Sequence, residues 1–207
     1  MLRQCSLFDE PPAGLGTAAL ARPPCLAGAP ARVHSLFLAV LPEAADAVRL
    51  HAHARQVEER LGFAGRALDA DRLHVTLHVL GAFADEPPDA EVDRWRRAAA
   101  AVRHAPFDVV FDRVATFGGR DHPFVFTSTE DAGLHALHQA LGIALANTGE
   151  RIARQRIAPH MTLSWRGRRI ADTPIEPVRW RVGQLALIDS HLGEHVHEVL
   201  GRWHLKA

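Results

Sequence analysis

Residues 33–41 are almost continuously apolar and end at Pro42, as a buried strand bounded by a helix start should be. Pro42 and Glu43 suit the first turn of a helix, where a missing N–H costs nothing and an acid meets the positive end. Val48, Leu50, Val57 and Leu61 then supply an inner face at helical spacing, and Gly62 closes the helix. Leu73–Leu80 alternates as a strand up to Gly81. A second helix is predicted from Asp85 to Val102 with Val92, Trp95 and Ala99 inward, followed by strands over 107–117 and 123–128. A third helix begins at Glu130-Asp131, on which Leu134, Leu137, Leu141 and Leu145 form the buried stripe. After a motif strand near 160, residues 179–189 and 195–205 read as two antiparallel strands. The order strand, helix, strand, helix, two strands, helix, three strands points to a two-layer α+β domain over 32–207. Residues 1–31 have no sustained period, and Ala, Pro and Gly fill 15 of those positions, so that stretch is expected to be a mobile tail.

Composition narrows the classes. The 207 residues suffice for one domain with a sizeable core, and 24 basic residues balance 24 acidic ones. A chain that coats long nucleic acid carries a clear basic excess, which this one lacks, although a local patch would still hold a short RNA end. Such a patch exists: residues 151–169 contain six Arg and no acid. Guanidinium forks hold phosphate oxygens, so the phosphate backbone of a nucleic-acid ligand is expected there, with a solvated basic loop as the plainer alternative. Cys5 and Cys25 lie in the tail and cannot staple the core, which suits a reducing cytoplasm. No apolar run reaches the roughly 18 residues of a membrane span.

The candidate chemistry lies in a repeated tetrad. His74-Val-Thr-Leu77 returns 86 residues later as His160-Met-Thr-Leu163. With 14 His, 8 Thr and 24 Leu in the chain, a shuffled sequence would hold His-x-Thr-Leu about 0.06 times, so two copies by chance have a probability of about 0.002. Strand alternation puts His74 and Thr76 on one face and Val75 and Leu77 on the other, and does the same for His160 and Thr162 over Met161 and Leu163. Side by side, the two strands would bring two imidazoles and two hydroxyls to one cavity, a set suited to cleaving a phosphodiester without a metal. Continued alternation places His78 on the same face, where it would meet a base or ribose unless it is a solvated strand-end residue. His191, His195, His197 and His204 are close in sequence, but no Cys or ligand-spaced carboxylate pattern accompanies them, so no metal site is expected; alternation puts His195 and His197 on one face, where they read as a chance surface pair.

With these motifs the chain from about Val33 to Leu205 resembles the two-histidine phosphoesterases, in particular the branch named 2′-5′ RNA ligase or RNA 2′,3′-cyclic phosphodiesterase. The resemblance includes His34-Ser-Leu-Phe-Leu-Ala-Val-Leu-Pro-Glu43, Leu80-Gly81, Pro159-His-Met-Thr-Leu163 and the closing 180–205 segment. It implies a bilobal α+β fold in which two antiparallel sheets face each other across a central cleft with pseudo-twofold symmetry, helices covering the outer faces. It further implies hydrolysis of RNA 2′,3′-cyclic phosphate ends to 2′-phosphates, with no cofactor. His74 would protonate the leaving 3′ oxygen, His160 would activate water, and Thr76 and Thr162 would hold the non-bridging oxygens. Reversal would give 2′-5′ ligation. Many members carry Arg five residues after the second His; here Trp165 stands there, a candidate to stack on a base, with Arg166 next. The phosphate's cationic partner must then be sought among Arg120, Arg156 and Arg166.

Rival readings make different demands. A related phosphodiesterase of small cyclic nucleotides would share both motifs and differ only in substrate profile. An RNA-end-binding module would bind without turnover, and a His-rich metal protein would lose function to a chelator that the two-histidine site should tolerate. In the tail, Gln4-Cys-Ser-Leu-Phe8 resembles the pentapeptide by which many bacterial proteins dock into the DNA sliding clamp, making Gln4, Leu7 and Phe8 the candidate contacts; a chance apolar clump is the blander account.

Overall fold

The structure is a computed structural model that describes residues 33–118, 121–150, 157–194 and 196–207. The clamp-like residues Gln4, Leu7 and Phe8, and the candidates Arg120 and Arg156, lie outside the described residues. In chain order the elements are β1 (Val33–Val40), α1 (Ala44–Arg60), β2 (Arg66–Ala67), β3 (Val75–Phe83), α2 (Asp89–Ala101), β4 (Phe107–Thr116), β5 (Phe124–Thr127), α3 (Ala132–Asn147), β6 (Met161–Trp165), β7 (Thr173–Val182), β8 (Gln184–Leu192) and β9 (Val196–His204). No helix among them is long and apolar enough to cross a membrane.

The fold is α+β, as its pattern predicts, with two lobes. One is ordered β3-β1-β8-β9 and the other β6-β5-β4-β7, each antiparallel, with a motif strand at its inner edge. Instead of forming two separate sheets, the lobes are joined by the pairing of Val75 with Met161, so the ladder runs through all of them as one sheet. β2 adds to β6. The outer edge strand β7 carries Pro174 and Pro177, residues that an edge tolerates because a proline cannot donate to a further strand.

Alternation divides the sheet into two faces. Leu36, Leu38, Val40, Leu77, Val109, Phe111, Phe126 and Trp180 join one core with Leu50 and Val57 of α1, Trp95 of α2 and the α3 stripe Leu134, Leu137, Leu141 and Leu145. Phe37, Ala39, Leu41, Ala186 and Ile188 form a separate, smaller cluster on the opposite face. All three helices therefore cover one face and leave the other for the cleft. The α2 and α3 stripes are those that helical spacing predicts. In α1, however, Val48 is exposed and the inner positions are Ala47, Leu50, Ala54, Val57 and Glu58. Residues 179–189 are not one strand either: Gly183 divides β7, which pairs with β4 in one lobe, from β8, which pairs with β1 in the other.

Candidate active site

The two motifs meet where the lobes join. Val75 and Met161 are paired across the antiparallel joint and fully buried toward the helices. Extending that register sets His74 opposite Thr162 and Thr76 opposite His160, with all four side chains on the face away from the helices. Thr76 pairs with Ala39 and Thr162 with Val125, consistent with that side. The four tetrad residues singled out from sequence are thus gathered into one cleft.

Each imidazole is held in the same way. His74 Nδ1 lies 2.7 Å from the carbonyl oxygen of Arg72, and His160 Nδ1 lies 2.8 Å from that of Ala158. A carbonyl only accepts, so each Nδ1 carries a hydrogen and each neutral ring keeps Nε2 as a free base. A phenylalanine walls each ring: Phe37 stacks on His74 at 5.1 Å, and Phe117 meets His160 edge-on at 4.7 Å. This apolar surrounding disfavours the charged form. Burial pushes His74 down to about 4, with smaller contributions from the charges of His160 and Arg72, and burial also lowers His160. Both imidazoles are neutral near pH 7.

Two further residues join the cleft that sequence reasoning missed. His197, expected at the surface, pairs with Ser190 on the cleft side of β8–β9, and its ring lies 5.3 Å from His74 and 5.9 Å from Phe37. Arg72 Nη2 donates to His197 Nε2 at 3.3 Å, and the buried Arg72 Nε has no hydrogen-bond partner among the described residues. Burial lowers both groups, His197 to about 3 with help from His74 and Arg72, and Arg72 from its ordinary value. The period-two pattern of 195–205 shows which residues share a face but not which face is covered. Arg72 stands two residues before the first motif His, and its place in a tight turn over Ala70–Arg72 hides it from strand alternation.

Two expectations need correction. His78 does not line the cleft. β3 has one residue more than β1 between Ala39–Thr76 and Leu38–His78, so Leu77 is a bulge and both Leu77 and His78 turn toward the helices. There His78 Nε2 donates to the carbonyl of His138 at 2.8 Å, His138 Nδ1 donates to the carbonyl of Leu77 at 2.9 Å, and the rings stack at 4.0 Å. The second motif does the same. Leu163 is the extra residue of β6 against β5, and Ser164 is turned inward to donate to Glu58 of α1 at 2.5 Å. Arg166, at φ 66°, leaves the strand and pairs with Asp121 at 3.2 Å, so it is committed to an exposed ion pair. Trp165 follows the bulge and pairs with Arg66, a register that returns it to the cleft side, partly exposed.

Two motif strands meeting across a pseudo-twofold joint, on an α+β sheet with helices on the far face, define the class of two-histidine phosphoesterases. A sequence model of the 2′-5′ RNA ligase superfamily matches residues 41–194, and the chain belongs to that family. The RNA 2′,3′-cyclic phosphodiesterase of Geobacillus stearothermophilus is 32% identical over 109 residues, 50% of this chain and 32% of that protein, so the match spans about a third of that relative's length. Two solved structures share the fold: LigT of E. coli, at 22% identity with TM-score 0.64 over 85% of this chain and 99% of LigT, and the TT0787 protein of Thermus thermophilus, at 22% with TM-score 0.65 over 84% and 98%.

Proposed function

We propose that the protein hydrolyses 2′,3′-cyclic phosphate ends of RNA to 2′-phosphates with His74 and His160 as the acid and base. The observation that carries this is the matched tethering of both rings through Nδ1, which leaves each Nε2 as a free base on two histidines that share one face of the joined strands. In-line hydrolysis needs water deprotonated on one side of phosphorus and the departing ribose oxygen protonated on the other, and two such nitrogens do both. Burial keeps the free rings neutral; an anionic phosphodiester between them raises their proton affinity and supplies the charged member of the pair. Thr76 and Thr162 hold the non-bridging oxygens, where charge gathers in the transition state. The cationic partner is Arg72, whose buried Nε has no partner among the described residues and whose charge already reaches His74. Trp165 offers a surface for a base. An E. coli relative of the same fold has been solved with 3′-AMP, which supports a nucleotide ligand. Run backwards, the site would join a cyclic phosphate to a 5′-hydroxyl, but water at bulk concentration favours hydrolysis.

The test is turnover of nucleoside and oligoribonucleotide 2′,3′-cyclic phosphates by His74→Ala, His160→Ala and the double variant. Each single change is expected to lower kcat by about a thousandfold or more, the double falling little further, because the pair acts as a unit. More than about a tenth of activity retained in either single variant rejects the assignment. Activity on a small cyclic nucleotide but on no RNA end would move the substrate to that class.

A further inference from the structure

On the helix side of the sheet, at the end of β1, β8 and β9, a second constellation forms that lies across the sheet from the cleft. His34 pairs with His191, Leu36 with Asp189, and Asp189 with Glu198, so strand pairing alone gathers His34, Asp189, His191 and Glu198 on one face. His34 Nδ1 lies 2.6 Å from Asp189 Oδ2, His191 Nε2 lies 3.5 Å from the same oxygen, and Glu198 Oε2 lies 3.7 Å from His191 Nε2. One donor atom from each of His34, Asp189 and His191 falls within 4.8 Å of the other two. A tetrahedral zinc ion with bonds near 2.0–2.1 Å separates its donors by about 3.3 Å, and the observed spacings bracket that value.

We infer that His34, Asp189 and His191, with Glu198 as a fourth donor, form a binding site for a divalent transition cation of the zinc type. The donor chemistry fits, because two imidazoles and carboxylate oxygens are what such ions take. Asp189 is 3% exposed, yet among the described residues its Oδ1 finds no hydrogen-bond partner, and His191 Nε2 is likewise buried without one. Leaving such atoms unsatisfied is costly, and a cation would satisfy both. Among the described residues no Arg or Lys pairs with Asp189 or Glu198. The outer groups also fit: Glu194 Oε2 lies 3.8 Å from His191 Nδ1, on the side of the ring away from the cluster, where a carboxylate would orient a ligating histidine. The exposed side chain of Glu198 gives the ion a path from solvent. Sequence spacing hides the site because His34 and Asp189 are 155 residues apart.

Zn²⁺ titration by calorimetry would test this on the full chain after chelator dialysis, in a Cys5→Ser, Cys25→Ser background that removes both thiols, with Co²⁺ absorption reporting geometry. We expect one tight equivalent, a raised Tm with Zn²⁺, and visible Co²⁺ bands of a four-coordinate site. Asp189→Asn should abolish these and His191→Gln should weaken Zn²⁺ by about a hundredfold, whereas Glu194→Gln should cost about tenfold. His135→Gln, which alters the exposed helical His135–Asp131 pair, should leave binding unchanged. Should Asp189→Asn not fold, His191→Gln decides, its side chain being the least buried of the three. No tight equivalent in the parent, or an equivalent that survives His191→Gln, overturns the inference. So does one displaced by inorganic phosphate, which would place the ion at the cleft histidines.

Discussion

The placement of His78 offers a sharp test of how the motif strands are built. Regular alternation would aim this ring into the cleft, whereas the bulge at Leu77 buries it against His138 of α3. There burial pushes it to about 4 from 6.5, against the raising effect of its bond to the His138 carbonyl. Between those two values the unfolded chain binds more protons than the folded one, so stability falls as pH falls. The full shift corresponds to about 3 kcal/mol, lost once pH drops below both values, and about 2 kcal/mol of it is already gone at pH 5 relative to pH 8. His78→Gln keeps a side-chain donor for the His138 carbonyl and removes the titration. Urea unfolding of both proteins at pH 8 and pH 5 should show the variant losing about 2 kcal/mol less on acidification. Its kcat/KM at pH 8 should remain within about threefold of the parent, because the ring does not reach substrate. An acid-induced loss equal to the parent's, or a collapse of kcat/KM with folding intact, would refute the bulged register.

Other outcomes follow from the same geometry. Binding of inorganic phosphate or a nucleoside 2′-phosphate near pH 7 should take up protons, since burial holds His74 near 4 and the anion raises it; calorimetry in buffers of different ionisation enthalpy would show this as a buffer-dependent heat. Arg72→Met should lower kcat/KM by about 10- to 100-fold, the loss of a charge-assisted bond of roughly 1.5–3 kcal/mol. Ser164→Ala deprives the buried Glu58 carboxylate of its hydroxyl donor and leaves Arg55 as its other partner, so unfolding free energy should fall by about 1–3 kcal/mol in urea titration.

The sequence alone determined those features that depend on local period and on repetition. Leu134, Leu137, Leu141 and Leu145 recur at helical spacing and are buried as one stripe, and the duplicated His-x-Thr-Leu fixed which four side chains share the cleft. Tertiary structure decided what depends on which neighbour a strand finds. The extra residue at Leu77, and its counterpart at Leu163, exists only relative to the partner strand, so alternation counted along one segment sent His78 to the wrong face. His197 and Arg72 enter the cleft, and His34 reaches Asp189, because β8 lies between β1 and β9, an arrangement of non-local pairings that no single stretch of sequence encodes.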